Sequence, residues 1–137
     1  MNILFLLTPK AKLAYLDEGM SIRQALEKMR AHGYTMIPMI EEESGKFIGN
    51  LSVADLLWNM VDGDVVRLQE LENEKAVHLI RSSMRRAVNI DARVEDILPL
   101  LLQGNYVPVV DDRGVLMGII TRKSVLEAYL NSAKLPE

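Results

Sequence analysis

The sequence predicts a mixed α/β (α+β) fold made of two β-α-β-β-α repeats related by a pseudo-twofold axis. The first observation is a duplicated pattern over residues 34–52 and 105–121: an apolar run with one proline, a glycine turn, and a second apolar run. Such paired runs predict β-hairpins. The second observation is an amphipathic helix pattern before and after each hairpin. One repeat of this size exposes too much apolar surface to fold alone, so we expect the two repeats to share one core.

The helix before each hairpin is predicted by apolar residues at i, i+3, i+4 and i+7. In the first repeat this stripe covers residues 22–29, and Ser21 with Gln24 forms a capping box at its start. In the second repeat it covers residues 94–101. Pro99 lies inside that stripe and lacks a backbone donor, so we expect a kinked or shortened helix there.

The organisation along the chain follows from these patterns. We expect a first repeat over residues 1–61 with an N-terminal tether, a connector over 62–83, and a second repeat over 84–137. The connector, rich in Glu and Leu, is expected to be at least part-helical, with its charges on a solvated face. The apolar run Ile3 to Leu7 is too short for a signal peptide or a membrane span, and we expect it to pack on the domain as a strand or tether.

Composition narrows the possible functions. The chain is 49% hydrophobic and 26% charged, with a formal net charge of -3 and no cysteine. The acidic balance gives no basic face for nucleic acid, and the absence of cysteine fits a reducing cytoplasm. His32 and His78 lack metal-ligand spacing, and no nucleophile with a partner base is evident, so we expect neither an enzyme nor a bound metal or cofactor.

Several short motifs accompany the duplicated hairpins. Thr8-Pro9 and Met84-Arg85-Arg86 precede the first strands, and the string from Gly49 to Asp55 reads Gly-x-x-Ser-x-x-Asp. Together and in duplicate, they resemble a pair of cystathionine-β-synthase (CBS) domains, a Bateman module, over nearly the whole chain. A closer resemblance, to stand-alone CBS-pair proteins of Gram-positive bacteria of which some bind cyclic di-AMP, lies in three strings: Lys12-Leu13-Ala14, Gly33-Tyr34-Thr35-Met36-Ile37-Pro38 and Thr121-Arg122-Lys123.

The resemblance implies that adenosine derivatives bind in two clefts, each drawing on both repeats. The first cleft would contain Ser52, Asp55, Arg86, Ala87, Val88, Tyr106 and Pro108. Here the free N–H groups of the helix that begins near Val53 suit a phosphate, and Asp55 is an acceptor for two ribose hydroxyls. Ser52 and Asp55 also form a helix-capping pattern, which is the alternative interpretation and is compatible with the first.

The second cleft would contain Lys12, Ala14, Tyr34, Thr35, Met36, Pro38, Thr121, Arg122 and Lys123. Ser124 stands where the family has aspartate, so this turn departs from the family pattern, and a serine hydroxyl replaces the carboxylate as the group that can bond a ribose. The cations Arg122 and Lys123 suit a polyphosphate or a cyclic dinucleotide, and Tyr34 could stack on a base. The alternatives are a solvated pair of surface cations and a half-buried tyrosine.

These residues favour a non-catalytic regulatory module that senses an adenine nucleotide (AMP, ADP, ATP or cyclic di-AMP) and signals to an unknown effector protein in trans. The alternative is a constitutive scaffold whose clefts bind no physiological nucleotide. Apolar residues on the two helices after the hairpins further predict a homodimer, with burial inside one chain as the alternative. These residues are Trp58, Met60, Val61, Val125, Leu126 and Tyr129.

Overall fold

The computed structural model describes residues 2–62 and 68–134. Its strands are β1 (Leu7–Pro9), β2 (Leu16–Asp17), β3 (Met36–Ile40), β4 (Phe47–Ser52), β5 (Val88–Asn89), β6 (Tyr106–Val110) and β7 (Leu116–Thr121). Its α-helices are α1 (Ile22–His32), α2 (Val53–Asp62), α3 (Leu68–Asn73), α4 (Val94–Leu101) and α5 (Arg122–Lys134). Residues 63–67 of the predicted connector and 135–137 of the predicted second repeat lie outside the described residues.

The chain forms two compact units. The middle unit is Ala14–Arg86, and the terminal unit joins Met1–Leu13 to Ala87–Glu137. The boundaries expected from the sequence divide the chain in sequence order, one repeat after the other. The two units instead group the segments whose strands pair with each other. The difference lies at the N-terminus, because β1 pairs with β7 of the second repeat and so belongs to the terminal unit.

The predicted repeat is confirmed. The middle unit has the order β2-α1-β3-β4-α2 and the terminal unit the order β5-α4-β6-β7-α5. In each unit the first strand pairs parallel with the second, and the second and third form an antiparallel hairpin. Both hairpins carry a register shift at the same place, between Met39 and Ile40 and between Val109 and Val110. The two repeats are therefore equivalent in topology and in this irregularity.

Each unit has a hydrophobic core cluster of its own. In the middle unit it is Ala14, Leu16, Ile22, Ala25, Met29, Ile37, Met39, Leu51, Leu56, Ala76 and Ile80. In the terminal unit it is Ile3, Leu6, Ile97, Leu101, Val107, Val109 and Ile120. Each unit also takes apolar residues from outside its β-α-β-β-α elements, from the connector in the middle unit and from the N-terminal segment in the terminal unit. The expectation of one core shared by the two repeats stays a prediction.

The N-terminal segment completes the terminal unit. Residues Ile3–Leu6 form a 3₁₀ helix whose Ile3 and Leu6 side chains are buried, and β1 then adds an antiparallel edge strand to β7. The predicted packing of this segment is confirmed. Gly118 makes the pairing possible, because a Cβ at this position would collide with the backbone oxygen of Thr8.

The connector has a similar role in the middle unit. Beyond α3 it forms 3₁₀ helices at Ala76–Leu79 and Ser82–Met84. The described residues of the connector are therefore part-helical, as predicted. Its face is not only solvated, because Ala76 and Ile80 are buried in the core. A Cβ on Gly49 of β4 would lie 2.6 Å from Ile80 Cγ2, so the motif glycine leaves room for the connector.

Local sequence signals account for the ends of these elements. The capping box of Ser21 and Gln24 is present at the start of α1. Helix α4 contains Pro99 and has 8 residues against 11 in α1, in agreement with the predicted shortening. The second hairpin turn is held by Asp111, whose carboxylate accepts from the backbone N–H of Val115 and of Arg113, and these bonds lower the pKa of Asp111.

Candidate functional site

The Gly-x-x-Ser-x-x-Asp string of the middle unit forms the junction between β4 and α2. Strand β4 ends at Ser52 and α2 begins at Val53, so Asp55 lies in the first turn of the helix. The Asp55 N–H donates to Ser52 Oγ at 3.0 Å, and both residues are buried. Ser52 therefore caps α2, as the alternative interpretation predicts, and it holds the backbone of Asp55 in the first turn of the helix.

The Asp55 carboxylate has one oxygen paired and one open. Arg81 Nε of the connector lies 2.5 Å from Asp55 Oδ1. The Oδ2 atom is buried and has no hydrogen-bond partner among the described residues. A buried acceptor without a partner is costly, and native structures contain few of them. Asp55 therefore presents an unused acceptor of the kind that a ribose hydroxyl satisfies.

The start of α2 offers fewer phosphate donors than the sequence predicts. The Val53 N–H donates to Thr35 O at 2.9 Å, and the Asp55 N–H is taken by Ser52. The antiparallel register explains the first bond, because it places Met36 opposite Ser52 and brings Thr35 beside the helix start. These two donors are therefore not free for a phosphate, and the cation Arg81 lies beside the turn.

The other predicted residues of the middle unit differ in exposure. Ala14 and Pro38 are buried, Tyr34 and Met36 are half-buried, and Thr35 and Arg86 are exposed. Tyr34 packs against the core of the unit, with its ring centroid 5.5 Å from that of His32. The half-buried position of Tyr34 agrees with the alternative interpretation of this residue, and base stacking stays a prediction.

The terminal unit repeats the turn with different chemistry. The Ser124 N–H donates to Thr121 Oγ1 at 3.0 Å, and the two hydroxyl oxygens are 2.8 Å apart. Thr121 thus caps α5 as Ser52 caps α2, and Tyr106 lies opposite Thr121 in the sheet. Because Ser124 replaces the aspartate, this turn carries no carboxylate and no counterpart of the Asp55–Arg81 pair.

Arg122 binds the end of α4, a role that the sequence analysis missed. Its Nε donates to Leu101 O at 2.6 Å, its Nη2 to Leu102 O at 3.4 Å, and its Nη1 to Asn105 Oδ1 at 3.3 Å. A guanidinium at a helix C-terminus satisfies carbonyls that lack intrahelical partners. Arg122 is therefore a structural cap in the terminal unit, and its binding to an anion stays a prediction.

The other predicted residues of the terminal unit differ in exposure. Lys123 is highly exposed and lies 3.9 Å from Glu127, and Lys12 ends the 3₁₀ helix Lys10–Lys12 with its side chain in solvent. Ala87 and Val88 are half-buried, and Pro108 is buried. The assignment of the predicted residues to shared clefts stays a prediction, since the residues are placed here unit by unit.

We expect Arg122→Ala to lower the free energy of unfolding by about 1–2 kcal/mol, because it removes the donors that satisfy the end of α4. Lys123→Ala is the matched control, with the same charge change at the next residue and an expected effect within about 0.5 kcal/mol. Urea unfolding of both variants makes the comparison. Equal stabilities for the two variants would contradict the capping role.

Within residues 2–62 and 68–134, no group of three or more His, Asp or Glu side chains lies close enough to hold a metal ion. None of the helices in these ranges has the length and apolar character to cross a membrane.

Comparison with known proteins identifies the family. The sequence profile of the CBS domain matches residues 7–62 and 77–131, which is once for each repeat. The chain belongs to the CBS domain family. A curated relative is CBSX1, a CBS domain-containing chloroplast protein of Arabidopsis thaliana, 28% identical over 148 residues. The match covers 90% of this chain and 62% of that protein, so the chain spans less than two thirds of its length.

Solved CBS structures are similar over nearly the whole chain. CBSX2 in complex with AMP is 30% identical, with a TM-score of 0.75 and coverage of 94% of this chain and 96% of that one. The CbpB protein of Listeria monocytogenes in complex with cyclic di-AMP is 25% identical, with a TM-score of 0.82 and coverage of 95% and 96%. The predicted family and fold are therefore confirmed.

Proposed function

We propose that this CBS pair is a non-catalytic regulatory module that binds an adenine nucleotide and transmits its presence to a partner protein. The observation that carries the proposal is the buried Asp55 carboxylate, held at the start of α2 with Oδ2 unpartnered among the described residues. Such an acceptor fits the hydroxyl donors of a ribose.

Ribose chemistry favours a mononucleotide at Asp55. AMP, ADP and ATP carry free 2′- and 3′-hydroxyls, which can donate to the two oxygens of one carboxylate. In cyclic di-AMP the 3′-oxygens form phosphodiester bonds, so each ribose offers only its 2′-hydroxyl. In the terminal unit, selection cannot rest on a contact between a diol and a carboxylate, because Ser124 replaces the acid. The lack of a free diol, as in cyclic di-AMP, should therefore cost less binding free energy at Thr121 and Ser124 than at Asp55.

Two relatives support this ligand class. CBSX2 has been solved with AMP, and the Listeria CbpB protein with cyclic di-AMP. Between these two ligands we rank the mononucleotide first. The reason is that Asp55 matches a diol, whereas the Arg122 guanidinium, expected to bind the phosphates of a cyclic dinucleotide, already donates to the end of α4.

Exposed apolar residues favour a homodimer as the functional assembly. On α2 the Trp58 side chain is 63% exposed, and on α5 the Tyr129 side chain is 74% exposed, so burial inside one chain does not account for them. We propose that these helices pair two copies of the chain. Light scattering at micromolar concentration should then give twice the 15.5 kDa chain mass, and a monomer would contradict the proposal.

Regulation requires more than binding. A ligand shifts an equilibrium between two arrangements only by the difference in its affinities for them. The partner protein must therefore distinguish the ligand-bound from the free module. The constitutive scaffold stays the alternative, and the same apolar helix faces support it.

Thermal melting with a panel of AMP, ADP, ATP, cyclic di-AMP and S-adenosylmethionine, with GMP as control, tests the proposal. A bound nucleotide at a hundredfold over its dissociation constant should add ~2.7 kcal/mol and raise the melting temperature by several degrees. We expect AMP, ADP or ATP to give the largest increase and GMP a smaller one. If no adenine nucleotide changes the melting temperature, the scaffold alternative replaces the sensor.

A further inference from the structure

The ion pair between Arg81 and Asp55 joins an exposed side chain to a buried one. The Asp55 side chain is 6% exposed, whereas the Arg81 side chain is 62% exposed, with Nε 2.5 Å from Asp55 Oδ1. Arg81 lies in the connector, at the start of the 3₁₀ helix Ser82–Met84. The guanidinium thus reaches from the surface onto a buried carboxylate. Nothing in the sequence pattern points to Arg81, because it lies outside every motif of the repeat.

This pair and a bound ribose use the same carboxylate. A diol that donates to both oxygens of Asp55 uses the open Oδ2 and also Oδ1, which Arg81 contacts through Nε. Because each carboxylate oxygen has two lone pairs, Oδ1 can accept from a hydroxyl and from Arg81 Nε at the same time. The guanidinium therefore lies beside the bound ribose, and its other N–H groups can donate to an anion on the same ligand.

We propose that Arg81 is a specificity-determining residue that selects nucleotides bearing a phosphate over the corresponding neutral nucleosides. The inference rests on the proposed function, since it concerns the ligand of the Asp55 turn. A phosphate on the same ligand can accept from the N–H groups of Arg81 that do not face Asp55, and a planar guanidinium binds phosphate with two parallel bonds. A neutral nucleoside offers no anion, so it gains no bond from these donors.

Two backbone donors of the turn are already occupied. The Val53 N–H donates to Thr35 O and the Asp55 N–H to Ser52 Oγ. Arg81 is the cation that the described structure places within ion-pair distance of Asp55. A ligand phosphate near the ribose can therefore accept from this guanidinium in addition to the remaining N–H groups of the helix start.

Calorimetric titration of AMP and adenosine into the wild type, Arg81→Ala and Arg81→Lys tests the proposal. We expect the wild type to bind AMP roughly 10- to 100-fold more tightly than adenosine, which is the range for charge-assisted hydrogen bonds. In Arg81→Ala the ratio of the affinity for AMP to that for adenosine should fall to about one or a few. The reason is that the binding of AMP weakens, whereas that of adenosine is unchanged or tighter. Arg81→Lys keeps the charge without the planar fork and should recover part of the ratio.

Arg30→Ala is the matched control, since it removes the same charge from an exposed position on α1 of the same unit. It should leave the ratio unchanged, and the melting temperature of each variant checks folding. If Arg81→Ala weakens AMP and adenosine equally, or leaves their ratio unchanged, the inference is wrong while the proposed function stands. If the wild type binds neither AMP nor any other adenine nucleotide, the proposed function fails and the inference fails with it.

Discussion

Asp55→Ala is expected to weaken AMP binding by roughly 10- to 100-fold, because it removes the carboxylate that accepts the ribose hydroxyls. The free protein should keep or increase its melting temperature. In the wild type the buried Asp55 Oδ2 has no hydrogen-bond partner among the described residues, so the substitution removes an unsatisfied group. The exposed Arg81 side chain can then turn to solvent. A large loss of affinity without a loss of stability is the expected pattern for a binding residue.

2′-Deoxy-AMP gives this prediction a second measurement. The wild type should bind AMP more tightly than 2′-deoxy-AMP. Asp55→Ala should bind the two equally, because without the carboxylate the 2′-hydroxyl has no acceptor and its removal costs no affinity. Asp62→Ala is the matched control, as it removes the same charge from an exposed position on the same helix. Retention of the wild-type preference in Asp55→Ala would show that the ribose is bound elsewhere.

Gly118→Ala is expected to lower the free energy of unfolding by about 1–3 kcal/mol, the range for overpacking a buried position. The new Cβ would collide with the backbone oxygen of Thr8 and crowd the side chain of Leu7, and the backbone atom cannot move without shifting β1. The substitution should therefore separate β1 from β7 and expose Ile3 and Leu6. Urea unfolding measures the stability, and hydrogen exchange of the Leu7 and Thr8 amides reports the displacement of the strand.

Gly104→Ala is the matched control for this substitution. A Cβ there has its nearest heavy atom, Tyr106 O, at 3.8 Å, which is an ordinary contact. Since alanine restricts the unfolded chain, Gly104→Ala should be neutral or slightly stabilising. If the two variants unfold at the same urea concentration, the close approach of β1 to β7 is not what requires glycine at position 118.

The repeat could be predicted from the sequence because its signals are local. The hairpin turns contain Gly45 and Gly114, which adopt φ of 75° and 82° as such turns require. The Ser21 cap and the shortened α4 also follow from residues within a few positions of each other. Met117 shows the limit of such patterns, because it falls on an apolar strand yet its side chain is exposed.

The contacts that join distant segments could not be predicted in the same way. The pairing of β1 with β7 connects residues more than a hundred positions apart, and it moves the N-terminal segment into the terminal unit. Arg122 caps α4 only because the hairpin returns α5 to the end of that helix. For the same reason the partner of Asp55 was missed, since Arg81 reaches it from the connector.

Direct calorimetric titration of AMP into the wild-type chain tests the central claim, that this CBS pair binds an adenine nucleotide through the Asp55 turn. We expect saturable binding that Asp55→Ala weakens and Asp62→Ala leaves unchanged. Absence of saturable binding of AMP, followed by the same result for ADP, ATP and cyclic di-AMP, would contradict the account and favour a module that acts through its apolar helix faces alone.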